Sequence, residues 1–242
     1  MIQRIVSMLI KKLRIEEIPA LLYAKESVLR GKTKGAVIMY HGSSASKEIH
    51  EKELKSIAEA GLLAIGIDCV WHGERLNPDL ENLFNHNNPD MFKNMLKAVN
   101  ATALELPVLT DFLNKNLGVQ NRRIGILGIS MGAFIVYKAL SIYPKIKCSA
   151  AILGTPKYCL YESGNYLKSF SKHNLLSVNA GKDQYISNKE TRHLHSILKK
   201  RYESYADRFL YKEYKLSDHF MLPDDWNDCW HCSLDFLKKN LS

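Results

Sequence analysis

The pentapeptide Gly128-Ile129-Ser130-Met131-Gly132 is the segment of this chain best equipped for chemistry. An apolar run, Arg123-Ile124-Gly125-Ile126-Leu127, leads into it, and a helix-like run, Ala133 to Leu140, leads out. Strand, Gly-x-Ser-x-Gly, then helix is the context in which a serine sits on a sharp turn with its hydroxyl lifted above a sheet. Ser130 is therefore read as a nucleophile. A serine hydroxyl attacks only when a base takes its proton, and the base needs a third group to fix its tautomer.

Those partners are sought later in the chain, on loops at the carboxyl ends of later strands. Asp183 fits the acid position. It closes the run Leu175-Leu176-Ser177-Val178-Asn179-Ala180-Gly181-Lys182, which reads as a strand ending in a Gly-x-Asp turn. Asp207 and Asp218 are its rivals, and an Asx-turn or helix cap is the plainer use of Asp183. His219 fits the base, because it follows the last apolar run and precedes the closing helix. His41, His50, His72 and His86 precede the serine, and His173, His193, His195 and His231 fall in or near helices or the cap. The oxyanion that forms on attack needs donors. The backbone N–H groups of Met131 and of Ser43, after His41-Gly42, are the candidates. His41 is expected to brace that loop and to border the substrate, with Trp71 as another lining residue.

The elements that must hold these residues alternate. Strands are expected over Ile15–Lys25, Lys34–Tyr40, Leu62–Asp68, Ile124–Leu127, Lys147–Leu153, Leu175–Val178 and Phe209–Leu216. Helices are expected over about 47–60, 91–117 with a break near Pro107, 189–202 and 224–241. Such alternation implies a mostly parallel sheet with helices on both faces. At 242 residues with 46% apolar side chains and no linker-like segment, one domain over 1–242 is the expectation. The net charge of +9 comes from scattered lysines and arginines without interleaved aromatics, so no nucleic-acid partner is expected. Five cysteines at irregular spacing suit a reducing cytoplasm. Met1 to Arg14 mixes apolar and basic residues. It is too short an apolar stretch to span a membrane; it reads as a segment packed on its own domain, with an amphipathic surface helix touching a membrane as the alternative. Cys229-Trp230-His231-Cys232 lacks the second ligand pair of a zinc site and reads as core, so neither metal nor cofactor is expected.

His-Gly after an early strand, Gly-x-Ser-x-Gly, Gly-x-Asp and a late His resemble, in order and spacing, the α/β-hydrolase superfamily over about residues 15 to 240. Asp68 followed by His72-Gly73-Glu74-Arg75 is similar to a segment of its dienelactone-hydrolase and prolyl-oligopeptidase-like branch. Dienelactone hydrolase itself carries a cysteine nucleophile where this chain has Ser130, and the branch includes small bacterial carboxylesterases. The resemblance implies the α/β-hydrolase fold with a short cap at about 157–174, where Tyr158 and Tyr161 would meet a small-molecule ester. It implies a Ser130–His219–Asp183 triad and a bracing role for Glu74 and Arg75. An acyl thioesterase or acyltransferase would use the same machinery, and a ligand-binding protein without turnover is the reading of another class. The sequence leaves these open, and with them a homodimer.

Overall fold

In the computed structural model the described residues are 7–30, 35–85, 87–143, 145–160 and 166–241. They form an eight-stranded sheet: β1 Met8–Ile15, β2 Ile18–Lys25, β3 Ala36–Tyr40, β4 Leu63–Ile67, β5 Ile124–Ile129, β6 Cys148–Ile152, β7 Asn174–Ala180 and β8 Phe209–Tyr214. The strand order is β1-β2-β4-β3-β5-β6-β7-β8. The β1–β2 and β2–β4 pairings are antiparallel, and every pairing from β4 to β8 is parallel.

The central strands are apolar on both faces because both faces are covered. Ile38 and Tyr40 of β3 join one core with the helices Met91–Leu104, Leu106–Leu117, Met131–Ile142 and Lys189–Arg201. Val37 and Met39 join the other with the helices Glu51–Glu59 and Pro223–Leu241. Cys229 belongs to this second core.

One expectation at the N-terminus is corrected. Ile15–Lys25 is not one strand. Glu16 and Glu17 turn the chain, with Glu16 at φ 52°, and β2 returns along β1 in full register from Met8↔Lys25 to Ile15↔Ile18. The described part of the basic segment is thus an edge strand and not an amphipathic helix. From Lys12 to Ile15 its residues alternate, with Leu13 and Ile15 packed on the core and Lys12 and Arg14 in solvent. Charged side chains on such an edge discourage pairing with another chain. Residues 1–6, and Lys34 at the expected start of β3, lie outside the described residues. The expected long helix divides at Glu105, with Pro107 in the first turn of its second half, where a missing N–H is tolerated.

The sheet changes direction at β3, which pairs with β4 on one side and β5 on the other. Ligand sites in open α/β sheets form in the crevice at the carboxyl ends of strands at such a point. Here those ends carry His41-Gly42-Ser43 and Ser130. β5 passes into the Met131–Ile142 helix through Ser130 alone. The strand, the helix and the end of β3 crowd together there. A Cβ on Gly128 would overlap the Gly132 carbonyl, and one on Gly132 would overlap the Tyr40 carbonyl of β3. Backbone offers no flexible atom to move aside. Gly132→Ala is expected to destabilise the fold by about 3 kcal/mol, measured by urea unfolding; a loss below about 1 kcal/mol would refute this account of the packing.

Candidate active site

Ser130 occupies φ 55° and ψ −117°, a backbone region that side chains rarely adopt. Its N–H donates to the Ile152 carbonyl of β6 at 2.9 Å, and its own carbonyl accepts the Ala133 N–H at 2.8 Å. The strain is thus held between a strand and a helix start. It turns the hydroxyl toward His219, with Oγ 3.0 Å from Nε2.

His219 Nδ1 lies 2.7 Å from Asp183 Oδ2. A carboxylate oxygen accepts, so Nδ1 carries the proton and Nε2 presents its lone pair to the Ser130 hydroxyl. The Asp183 side chain is fully buried, and its other oxygen accepts the N–H groups of Tyr185 at 2.8 Å and Ile186 at 2.9 Å. Burial pushes this carboxyl upward. The hydrogen bond from His219 and those two N–H groups outweigh burial and hold it below its ordinary value. One Asp183 oxygen thus closes an Asx-type turn while the other meets His219. The rivals are elsewhere. Asp218 accepts the N–H of Phe220 at 2.9 Å. Asp207 precedes β8, at the opposite end of the sheet, in a groove shared with Arg208, Asp235 and Lys239.

Met131 opens its helix, so its N–H has no acceptor within the helix and lies at the positive end of the helix dipole. Gly42 runs beside Ser130, close enough that an added Cβ would stand 3.6 Å from the Ser130 Cβ. Ser43 follows in an exposed turn with Ser44 at φ 57°.

His41 is corrected from a residue that borders substrate to a brace alone. It is 1% exposed. Its Nδ1–H donates to the Gly42 carbonyl at 2.7 Å, and its Nε2 accepts the Cys69 N–H at 3.0 Å. Neither nitrogen is left for a ligand. Trp71 is half-buried at φ 70° and forms a bridge with Leu76. Tyr158 packs on Phe92 and Phe134, with ring centroids 4.3 and 6.1 Å away, and so builds the core beneath the short Lys157–Leu160 helix. Tyr161 lies outside the described residues.

Sequence reasoning missed Lys47. It is 2% exposed, and its ammonium lies 2.8 Å from Asp68 Oδ2 and 2.8 Å from Glu74 Oε1. Asp68 is fully buried and also accepts the N–H groups of Lys47 and Glu74, each at 2.9 Å. Burial pulls the Lys47 ammonium pKa down, but the hydrogen bonds to Asp68, Glu74 and Glu48 outweigh it and raise it. Arg75 joins this loop to Glu105 and donates to the Asp68 carbonyl at 3.2 Å. The loop after β3 and the loop after β4 are therefore locked to each other beside Ser130. Two further residues meet His219 directly: the rings of Tyr185 and Phe220 lie 5.5 and 5.8 Å from the imidazole, centroid to centroid.

Two outcomes follow from this bracing. Lys47→Met leaves Asp68 buried without its cation and should cost about 3–5 kcal/mol of stability; denaturant unfolding measures it, and a loss under about 1 kcal/mol would contradict the role. His41 is linked to acid. Burial lowers its pKa from 6.5 to about 4. Between those values the unfolded chain binds more protons than the folded one, so stability falls as the pH falls through that window. The contribution reaches about 3 kcal/mol. His41→Gln should flatten the unfolding free energy between pH 6.5 and 4 relative to the wild type, and parallel curves would argue against the linkage.

No family model matches the chain. It is 30% identical over 145 residues to YitV of Bacillus subtilis, provisionally named an esterase, covering 60% of this chain and 53% of that protein. The chain spans about half the length of the curated relatives it matches. Among solved structures, TT1662 from Thermus thermophilus superposes with a TM-score of 0.75 at 18% identity, covering 98% of this chain and 99% of that one. Dienelactone hydrolase from Anabaena variabilis superposes with a TM-score of 0.64 at 16% identity, covering 98% and 99%. With its strand order, its strand–serine–helix turn and these end-to-end superpositions, the chain has the α/β-hydrolase fold.

Proposed function

We propose that the chain is a serine hydrolase of carboxylic esters that works through an acyl-enzyme on Ser130. The observation that carries this reading is the unbroken relay from Ser130 Oγ to His219 Nε2 and from His219 Nδ1 to Asp183 Oδ2, at 3.0 and 2.7 Å. The esterase names of the curated relatives favour the same chemistry.

Ser130 Oγ attacks the acyl carbon as its proton passes to His219 Nε2, and the carbonyl π pair moves onto oxygen. The Met131 and Ser43 N–H groups receive that oxyanion. The imidazolium formed is stabilised by the buried Asp183 carboxylate, which keeps its negative charge. The oxyanion collapses, the bond to the alcohol oxygen breaks, and His219 gives that oxygen its proton. Water then repeats the sequence: it loses a proton to His219, attacks the acyl carbon, and frees the acid and Ser130.

Every step passes through one oxygen, so Ser130→Ala should lower hydrolysis of p-nitrophenyl acetate and butyrate by about a thousandfold or more with the fold unchanged. A fluorophosphonate should label wild-type protein at Ser130 and leave the variant unlabelled. Wild-type rates in folded Ser130→Ala protein would overturn the proposal.

A further inference from the structure

We infer that Tyr185 and Phe220 form the binding wall for the alcohol portion of the ester, and that this portion is a bulky apolar group such as an aryl-methyl alcohol. The inference rests on the serine-hydrolase reading above. It begins with where the leaving oxygen must go. When the bond between acyl carbon and alcohol oxygen breaks, that oxygen takes its proton from His219 Nε2, so it must come within hydrogen-bond distance of Nε2. The first atoms of the alcohol are then beside the imidazole. The acyl oxygen points away from it, toward Met131 and the Ser43 loop. Whatever surrounds His219 therefore meets the alcohol.

What surrounds it is aromatic. Tyr185 lies 5.5 Å from the imidazole at an interplanar angle of 68°, and Phe220 lies 5.8 Å away at 89°. Both present a ring surface to solvent, Tyr185 at 64% and Phe220 at 82% exposure. Leu216 and Leu222, three residues to either side of His219, are also exposed. A single exposed hydrophobic side chain is ordinary. Here two loops bring their exposed rings to the same imidazole.

The loops themselves are pinned. Asp183 Oδ1 holds the N–H groups of Tyr185 and Ile186, and Asp218 Oδ1 holds that of Phe220. Ser217 Oγ accepts the N–H of Leu222 at 3.0 Å, and the Ser217 carbonyl accepts the N–H of Lys182 at 2.9 Å, which ties one loop to the other. Backbone fixed on both sides of the base, carrying exposed aromatic side chains, is a preorganised apolar surface. An aromatic group placed against it gains edge-to-face contact and loses water. A methyl or ethyl alcohol is too small to use it.

The test uses two ester series on wild-type protein and on Tyr185→Ala, Phe220→Ala and the double variant. In one the acyl group is fixed as acetyl and the alcohol runs through methyl, butyl, cyclohexylmethyl, benzyl and 2-naphthylmethyl. In the other the alcohol is fixed as methyl and the acyl chain runs from acetyl to decanoyl. The ratio of kcat/KM for benzyl acetate to that for methyl acetate should fall about tenfold in each single variant and further in the double one. The rank order across the acyl series should persist. Tyr185→Phe, which keeps its ring, should hold the wild-type ratio. Fluorophosphonate labelling of Ser130 shows that each variant has kept its site. A benzyl-to-methyl ratio that survives in both single variants would overturn the inference, as would variants that reorder the acyl series and leave the alcohol series alone. Wild-type protein that hydrolyses no ester and takes no label at Ser130 would instead overturn the underlying hydrolase reading, a result distinct from either of these.

Discussion

The backbone of Ser130 is the constraint on which the rest of the structure depends. A φ of 55° with ψ −117° on an L-residue is disfavoured by about 1–3 kcal/mol. It persists only because its surroundings leave no alternative. The N–H is taken by β6 and the carbonyl by the next turn of helix. Above and below, Gly128 and Gly132 let β5, the helix and the end of β3 approach to a distance that no side chain would permit. The central sheet, apolar on both faces and covered by helices, supplies the rigidity. In exchange, a hydroxyl is presented at the switch point of the sheet, where loops from four other strands can reach it.

Those loops are not left to find their own positions. The β3 loop, which carries Gly42 and Ser43, is tied to the β4 loop by two buried links: Lys47 with Asp68, and His41 with the Cys69 N–H. An ion pair buried in this way is weak as a source of net stability, since desolvating both charges offsets most of their attraction. Its value is positional. Asp68 accepts from the backbone of both loops as well as from the ammonium, so displacing either loop would strand a buried carboxylate. On the proposed mechanism a donor for the developing oxyanion must be aimed before the charge appears, and a loop locked by charge would keep that aim.

The parts legible in the sequence were those with a local signature. The turn at Ser130 announces itself through its glycines, and the order of serine, aspartate and histidine along alternating strands placed three residues that the fold joins by hydrogen bonds. Lys47 was not legible. A lysine at the start of an amphipathic helix reads as solvated, and only the tertiary meeting of two loops makes it a core residue. The N-terminal segment reads as packed on its own domain, but its strand conformation was hidden for a different reason. A mixture of apolar and basic residues fits an edge strand and a surface helix about equally until the partner strand is known, and β2 is that partner. Aromatic residues had the least to offer. Tyr158 and Trp71 carry no signal that separates a pocket wall from a core contact, and Tyr185 and Phe220 became visible only through their rings against His219.

Asp183 couples the two loops beside the imidazole. One of its oxygens orients the imidazole, and the other holds the backbone that carries Tyr185. The imidazole of His219 and one side of the surface beside it are therefore set by a single buried carboxylate, and neither can move without disturbing the other. The tie between the Lys182 N–H and the Ser217 carbonyl extends this to the loop bearing His219 and Phe220. A group bound against the rings would press on the same loops that hold the imidazole against Ser130. Binding energy from the non-reacting part of a substrate would then act where the bond breaks, which is how such energy raises a rate and not only an affinity.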